Sequence, residues 1–199
     1  MDTGVTLSMV FKKSLKSGDR VTPVCTTEMI AFTNAHPYFK KYNTDLLGLS
    51  IDSNSSHLAW VYDIYCRTGI RISFPIIADR NGEIARKYGM ISNNISNTET
   101  VRNVFIIDPN GIIRVILVYP MNVGRFIPEI LRIVQALQTA DNNNASTAAN
   151  WLPYQPVIVP MPKNFTELEK RKNEIEKNNN GISWYLSFKE PQNNLIDKT

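Results

Sequence analysis

The sequence predicts an α/β fold with a mixed sheet, on three observations. Short apolar runs of strand type alternate with amphipathic helical segments along the first part of the chain, which favours parallel pairing of strands. A Pro-Asn-Gly turn then joins two further apolar runs, which predicts an antiparallel hairpin. The chain has 199 residues, of which 43% are hydrophobic and 20% charged, and this balance is sufficient for a buried core.

The elements follow one another as strand, helix, strand, helix, strand, helix, hairpin and helix. Each predicted strand is a short apolar run bounded by polar or turn residues, and each predicted helix repeats apolar residues every three or four positions. The predicted strands are 5–11, 45–52, 73–78, 103–108 and 112–118. The predicted helices are 25–42, 55–68, 83–88 and 125–139. This order predicts a three-layer α/β sandwich of thioredoxin type.

Two of the predicted helices carry specific expectations about packing. Pro37 lies inside the first helical pattern, and we expect it to kink or split that helix. In the second helix, the apolar residues that share one face are Leu58, Val61, Ile64 and Tyr65. Such a face usually packs against the core.

The last part of the chain differs in composition from the rest. Residues 141–149 are rich in Asn, Ser and Ala, which indicates a boundary. The tail that follows is rich in proline and has a charged helical pattern at about 164–178. We therefore expect a thioredoxin-like domain over 1–140, followed by a linker and C-terminal arm over 141–199.

Charge and composition argue against several functional classes. The net charge is +4 and the pI about 9.0, but the basic residues are scattered, so we expect no nucleic-acid partner. No apolar run approaches the roughly 20 residues of a membrane span, and no secretory leader is visible, so we expect a cytoplasmic protein without a membrane partner. Two cysteines and two histidines, without a Cys-x-x-Cys motif, predict no metal site. We expect no cofactor.

Cys25 stands out because of its local sequence, Thr-Pro-Val-Cys-Thr-Thr-Glu. It lies where the first helix is predicted to begin, and the N-terminus of a helix stabilises an anion such as the nucleophilic thiolate. Thr22 can place its hydroxyl beside the sulfur, and Pro23 fixes the turn. The basic residues that could reach the sulfur from elsewhere in the fold are Arg102 and Arg125. The competing interpretation is that Cys25 is a small buried hydrophobic residue.

The run around Cys25 resembles the peroxidatic motif of the peroxiredoxin-6 group, which comprises the one-cysteine and archaeal-type thioredoxin peroxidases. Further segments are similar to that group and follow in the same order. They are His57-Leu-Ala-Trp60, Phe74-Pro-Ile-Ile-Ala-Asp79, 100–109, Tyr119-Pro120, Gly124-Arg125 and Ala149-Asn150-Trp151. The resemblance runs from about Thr22 to Pro162, and more weakly to Phe188.

The resemblance implies a thiol-specific peroxidase that reduces hydrogen peroxide and organic hydroperoxides, an antioxidant role in cell redox homeostasis. Cys25 would be the nucleophile and would be oxidised to a sulfenic acid. Thr22 and Arg102 would bind the peroxide, and Arg102 would also stabilise the thiolate. Glu28 would hold Arg102, with Arg125 and Pro23 as supporting residues.

Recycling of the sulfenic acid is expected to need an external thiol, either a thioredoxin-like protein or a small thiol. Archaeal-type members of the group carry a cysteine near the C-terminus, where this chain has Trp184-Tyr-Leu-Ser187. Cys66 lies on the second predicted helix and is interpreted as a partly buried structural residue. Members of the group form homodimers or rings of dimers, which implies that 141–199 is a dimerisation arm.

The alternative function is that of a degenerate peroxiredoxin, acting as a redox sensor or oligomeric chaperone with little turnover. Members of the group carry a His-Pro pair before the threonine, and Ser17 and Gly18 stand at those positions here. The joint presence of Thr22, Glu28 and an arginine at 102 favours the enzyme.

Overall fold

The structure of the protein is a computed structural model that describes residues 5–10, 23–90, 102–120 and 122–192. The chain divides after Ile127 into two compact units. In the part of the chain that the structure describes, one sheet has five strands and another has three.

The five-stranded sheet belongs to the first unit. Its strands are β1 (Val5–Val10), β2 (Thr44–Ser50), β3 (Ile76–Ala78), β4 (Arg102–Ile107) and β5 (Ile113–Tyr119). They are arranged in the order β3-β2-β1-β4-β5, which makes β1 the central strand. The pairs β1–β2 and β2–β3 are parallel, whereas β1–β4 and β4–β5 are antiparallel. The predicted mixed sheet is therefore confirmed.

Helix α1 (Pro23–Lys41) follows β1 in the chain and contains Pro37 without being split by it. The prediction of a split helix is wrong, and packing explains why. Phe32 and Phe39 flank the proline, both are fully buried, and their rings lie 6.3 Å apart. Burial of two phenylalanines stabilises the helix by about 1.5–3 kcal/mol each. Together these contributions offset the roughly 3 kcal/mol that a proline costs inside a helix.

Helix α2 (Asn54–Thr68) buries only part of the predicted apolar face. His57 and Ile64 are buried, whereas Leu58 and Tyr65 are 70% and 51% exposed. The cause is a polar contact, because Nε2 of His57 lies 3.1 Å from the hydroxyl oxygen of Ser50 at the end of β2. The prediction that Leu58 and Tyr65 pack inward is therefore wrong.

Helix α3 (Glu83–Lys87) packs on one face of the sheet through an apolar cluster. Leu49 and Phe105 contribute from the strands, and Ala85 and Met90 from the helix and the residues after it. Side chains alternate between the two faces of a strand, so Arg102 lies on the opposite face of β4 from Phe105. Since Arg102 contacts α1, the helices α1 and α3 cover opposite faces of the sheet, as expected of a three-layer sandwich.

The second unit contains most of α4, helix α5 and the three-stranded sheet. These elements are α4 (Ile127–Asn143), β6 (Val157–Ile158), α5 (Phe165–Asn178), β7 (Gly181–Ser183) and β8 (Leu186–Lys189). Strand β8 pairs antiparallel with both β6 and β7. Gly181 is needed for this pairing, because a Cβ atom there would lie 2.7 Å from the carbonyl oxygen of Leu186. Within the described residues, no helix has the length and apolar character of a membrane span.

Candidate active site

Cys25 is buried in the first turn of α1, with 2% of its surface exposed. The backbone N–H groups of a first helical turn have no acceptor within the helix, and together they make this end of the helix electropositive. That turn carries no acidic side chain, so no carboxylate within the turn opposes the effect. The hydroxyl of Thr27 donates to the carbonyl oxygen of Val24 at 2.7 Å and closes the turn. Cys25 therefore lies at the electropositive end of α1.

Glu28, one turn further along α1, is a buried carboxylate that binds two arginines. Nη1 of Arg102 donates to its Oε2 at 2.7 Å, and Nη1 of Arg125 donates to the same oxygen at 2.6 Å. Its other oxygen accepts from the backbone N–H of Arg125 at 2.9 Å. All three side chains are at least 98% buried. Charge-assisted bonds of this kind are short and strong, so the cluster fixes the start of α1 against the sheet.

The cluster contains two positive charges and one negative charge in a site away from water. Burial lowers the pKa of Arg125 below its ordinary value, and the neighbouring Arg102 lowers it further, whereas Glu28, a Cys25 thiolate and Tyr119 raise it. A thiolate on Cys25 would add a second negative charge near Arg125, which reduces the cost of burying that guanidinium group.

Arg125 is itself held in place by the sheet. Its Nη2 donates to the carbonyl oxygen of Asn103 at 3.0 Å. The residue therefore bridges α1, β4 and the segment that leads into α4. Sequence reasoning did not identify the Asn103 carbonyl, because any residue type can supply a backbone oxygen.

The remaining residues predicted near Cys25 are only partly described. Pro23 is the first residue of α1, a position where proline is favoured since its missing N–H would have no helical acceptor. Thr22 lies outside the described residues, as do Ser17 and Gly18.

Cys66 lies on the exposed surface of α2, so the prediction that it is partly buried is wrong, and both it and the buried Cys25 are free thiols. Cys66 lies one helical turn after Tyr62, and the interaction of the two side chains raises the pKa of the Tyr62 hydroxyl. No group of three or more His, Cys, Asp or Glu side chains that could hold a metal ion occurs among residues 5–10, 23–90, 102–120 and 122–192.

A polar network at the end of β2 was not predicted. The Ser50 hydroxyl donates to Oδ2 of Asp52 at 2.7 Å and lies 3.1 Å from Nε2 of His57. Burial lowers the pKa of His57 below its usual value, and the Asp52 carboxylate partly opposes this. The imidazole is therefore neutral near neutral pH, and its bond to Ser50 attaches α2 to the sheet.

A second unpredicted contact reaches the residue next to Cys25. The indole Nε1 of Trp60 donates to Oγ1 of Thr26 at 3.2 Å. Both residues fall in segments that resemble the peroxiredoxin-6 group, and this resemblance was the sequence signal that could have indicated the contact. Their separation of 34 residues hides the contact from any local pattern.

Comparison with known proteins shows the family. Residues 17–116 match the model of the AhpC/TSA family. A peroxiredoxin 2 from Caldanaerobacter subterraneus is 52% identical over 168 residues, which cover 84% of this chain and 76% of that protein. The chain belongs to the AhpC/TSA family of peroxiredoxins. A peroxiredoxin from Methanocaldococcus jannaschii is 45% identical over 173 residues, which cover 84% of this chain and 79% of that protein.

Solved peroxiredoxin structures share the fold. A yeast mitochondrial 1-Cys peroxiredoxin superposes with a TM-score of 0.76 and 34% identity, over 95% of this chain and 87% of the other. A peroxiredoxin 6 of Arenicola marina gives a TM-score of 0.77 and 27% identity, over 96% and 87% of the two chains. The predicted thioredoxin-like fold is thereby confirmed. As a peroxiredoxin, the protein is a thiol-dependent peroxidase, and nothing in the comparisons favours the degenerate alternative.

Proposed function

We propose that Cys25 is the peroxidatic cysteine and that an external thiol reduces it after each turnover. The observation that most supports this is the position of Cys25, buried in the first turn of α1 and one turn from a carboxylate that binds two arginines.

In the proposed reaction, the Cys25 thiolate attacks one oxygen of the peroxide and the O–O bond breaks. The sulfur loses two electrons and becomes a sulfenate, while the other oxygen leaves as water or an alcohol after taking up a proton. An external thiol then attacks the sulfenic sulfur, which releases water and leaves a mixed disulfide. A second thiol restores Cys25 by thiol–disulfide exchange.

The roles proposed for the surrounding residues follow from charge and position. Arg102 orients the peroxide and stabilises the charge that develops on the leaving oxygen. Glu28 and Arg125 hold Arg102 in place through the buried cluster. Thr22 donates its hydroxyl to the peroxide, and Pro23 starts the helix.

An external reductant is proposed because the described cysteines are placed differently. Cys25 is buried in α1, whereas Cys66 is exposed on α2. The solved yeast 1-Cys peroxiredoxin is described in connection with thiol resolution by the glutathione and thioredoxin systems. We propose that a thiol of one of these two classes serves here, in the cytoplasm.

The test is mass spectrometry of the protein after brief treatment with hydrogen peroxide, with and without glutathione. We expect a sulfenic acid on Cys25 in the absence of glutathione and a mixed disulfide in its presence. The Cys66→Ser variant should behave identically, and the Cys25→Ser variant should show neither product. Quantitative formation of a Cys25–Cys66 disulfide would contradict recycling by an external thiol.

We also propose that the protein forms a homodimer. In this proposal, the arm over 141–199 takes part in dimerisation. Among the described strands, β5 lies at the edge of the five-stranded sheet, and Ile113, Ile116 and Val118 on it are 42%, 52% and 64% exposed. An exposed apolar edge strand pairs readily with another strand. A second copy of β5, running antiparallel, offers the same edge and the same apolar side chains.

Sedimentation velocity of Val118→Lys tests the dimer. We expect the variant to sediment as a 22.6 kDa monomer, because a lysine at a strand edge opposes pairing. The Leu58→Lys variant, altered at an exposed position of α2, should remain at least dimeric. A Val118→Lys protein that sediments like the unmodified chain would rule out the β5 edge as the interface.

A further inference from the structure

We infer that Trp60 is a positioning residue for Cys25 and acts through Thr26, an inference that rests on the proposed role of Cys25. The indole N–H of Trp60 donates to the Thr26 hydroxyl oxygen at 3.2 Å. Thr26 follows Cys25 directly in the first turn of α1. Both partners are partly buried, so the bond is shielded from competing water.

The bond holds a side of the first turn that the arginine cluster does not reach. An α-helix turns by about 100° per residue, so Thr26 and Glu28 are about 200° apart around the helix axis. Glu28 ties one side of α1 to Arg102 and Arg125. Trp60 ties the opposite side to α2. Terminal helical turns fray when nothing holds them, and Cys25 lies between the two attachments.

Trp60 can act in this way because α2 is itself fixed. His57 lies one helical turn before Trp60, and its buried imidazole contacts Ser50 at the end of β2. The helix is also capped at its start, where the hydroxyl of Ser53 accepts from the backbone N–H of Ser56. The indole therefore extends from an element joined to the sheet by buried polar contacts.

The functional consequence concerns the alignment of the sulfur with the peroxide. An attack on the O–O bond needs the sulfur on the axis of the bond that breaks, and small displacements lower the rate steeply. If the Trp60 bond is lost, the first turn gains freedom and fewer of its conformations are productive. The charge cluster at Glu28 stays intact, so the site is loosened rather than dismantled.

The experiment uses stopped flow to measure the second-order rate constant for the reaction of hydrogen peroxide with the reduced protein. Trp60→Phe keeps most of the ring and removes its N–H, while Thr26→Val keeps the shape and removes the hydroxyl. Each is expected to lower the rate by about threefold to tenfold, the range of one hydrogen bond. The double variant should be no slower than either single variant, because both changes remove the same bond.

Two further variants separate positioning from general damage. Thr26→Ser retains the hydroxyl and should keep the rate of the unmodified protein. Tyr65→Phe changes an exposed aromatic residue on the same helix and should also have no effect. Single-variant effects that multiply in the double variant, or a slow Thr26→Ser, would overturn the inference.

Failure of the proposed function gives a different result. In that case the unmodified protein itself would react with peroxide no faster than free cysteine, and the inference would fall with it. If the unmodified protein reacts rapidly while Trp60→Phe and Thr26→Val are equally rapid, only the inference about Trp60 fails.

Discussion

Replacing Cys25 by serine is expected to lower the rate of peroxide reduction by at least about a thousandfold. A serine hydroxyl is not ionised near neutral pH, even at the N-terminus of a helix, and its oxygen cannot be oxidised to the equivalent of a sulfenic acid. The measurement is the consumption of hydrogen peroxide with excess glutathione or dithiothreitol as reductant, after subtraction of the rate without protein.

The matched control for this variant is Cys66→Ser. Cys66 is exposed, so activity should stay within about twofold, as is usual for surface substitutions. Saturable peroxide consumption by the Cys25→Ser protein would show that the reactive centre lies elsewhere.

Replacing Glu28 by glutamine is expected to lower the free energy of unfolding by about 3–5 kcal/mol, the range for breaking a buried ion pair. The variant keeps nearly the same volume but removes the only carboxylate that the described structure shows bound to both Arg102 and Arg125. The guanidinium charges of Arg102 and Arg125 would then remain buried close together without the Glu28 carboxylate that binds both. Urea unfolding monitored by fluorescence measures this change in the free energy of unfolding.

The same variant should also reduce peroxide about 10–100-fold more slowly, because Arg102 loses the group that orients it. Glu174→Gln is the control for stability. Glu174 forms an exposed pair with Lys170 at 3.9 Å, so its loss should cost at most about 1 kcal/mol. If Glu28→Gln does not fold, the Glu28→Asp variant is measured instead. It keeps the negative charge but shortens the side chain, so it tests whether the carboxylate must reach both arginines. A Glu28→Gln protein as stable as Glu174→Gln would contradict the view that the cluster is held by its charge.

Much of the fold was predictable because it depends on local signals. The apolar runs and the Pro-Asn-Gly turn placed the strands, and the turn before Cys25 placed the start of α1 within two residues of its position in the structure. Cys25 was singled out from its own neighbourhood. The pairing of Glu28 with Arg102 came from the resemblance to the peroxiredoxin-6 group, since no periodicity connects residues 74 positions apart.

What could not be predicted depends on contacts between distant segments. Leu58 and Tyr65 on α2 were wrongly expected to pack inward with Ile64, because the contact that sets the rotation of the helix is polar, between His57 and Ser50. Pro37 was expected to interrupt α1 because the packing of Phe32 and Phe39 cannot be seen from the local rule for proline. The contact of Arg125 with Glu28 spans 97 residues and brings together segments whose spacing carries no signal.

The central position of β1 has a consequence for the order in which the chain folds. Strand β1 pairs with β2 and also with β4. The residues of β4 lie about 100 positions after those of β1 in the sequence and are therefore synthesised much later. Contacts of such long sequence separation slow folding, because a long loop must close before they form. During synthesis, Cys25 therefore leaves the ribosome long before Arg102 and Arg125 can reach Glu28. While the chain is incomplete, the carboxylate–arginine cluster next to the first turn of α1 is absent, and it assembles only on completion of the sheet.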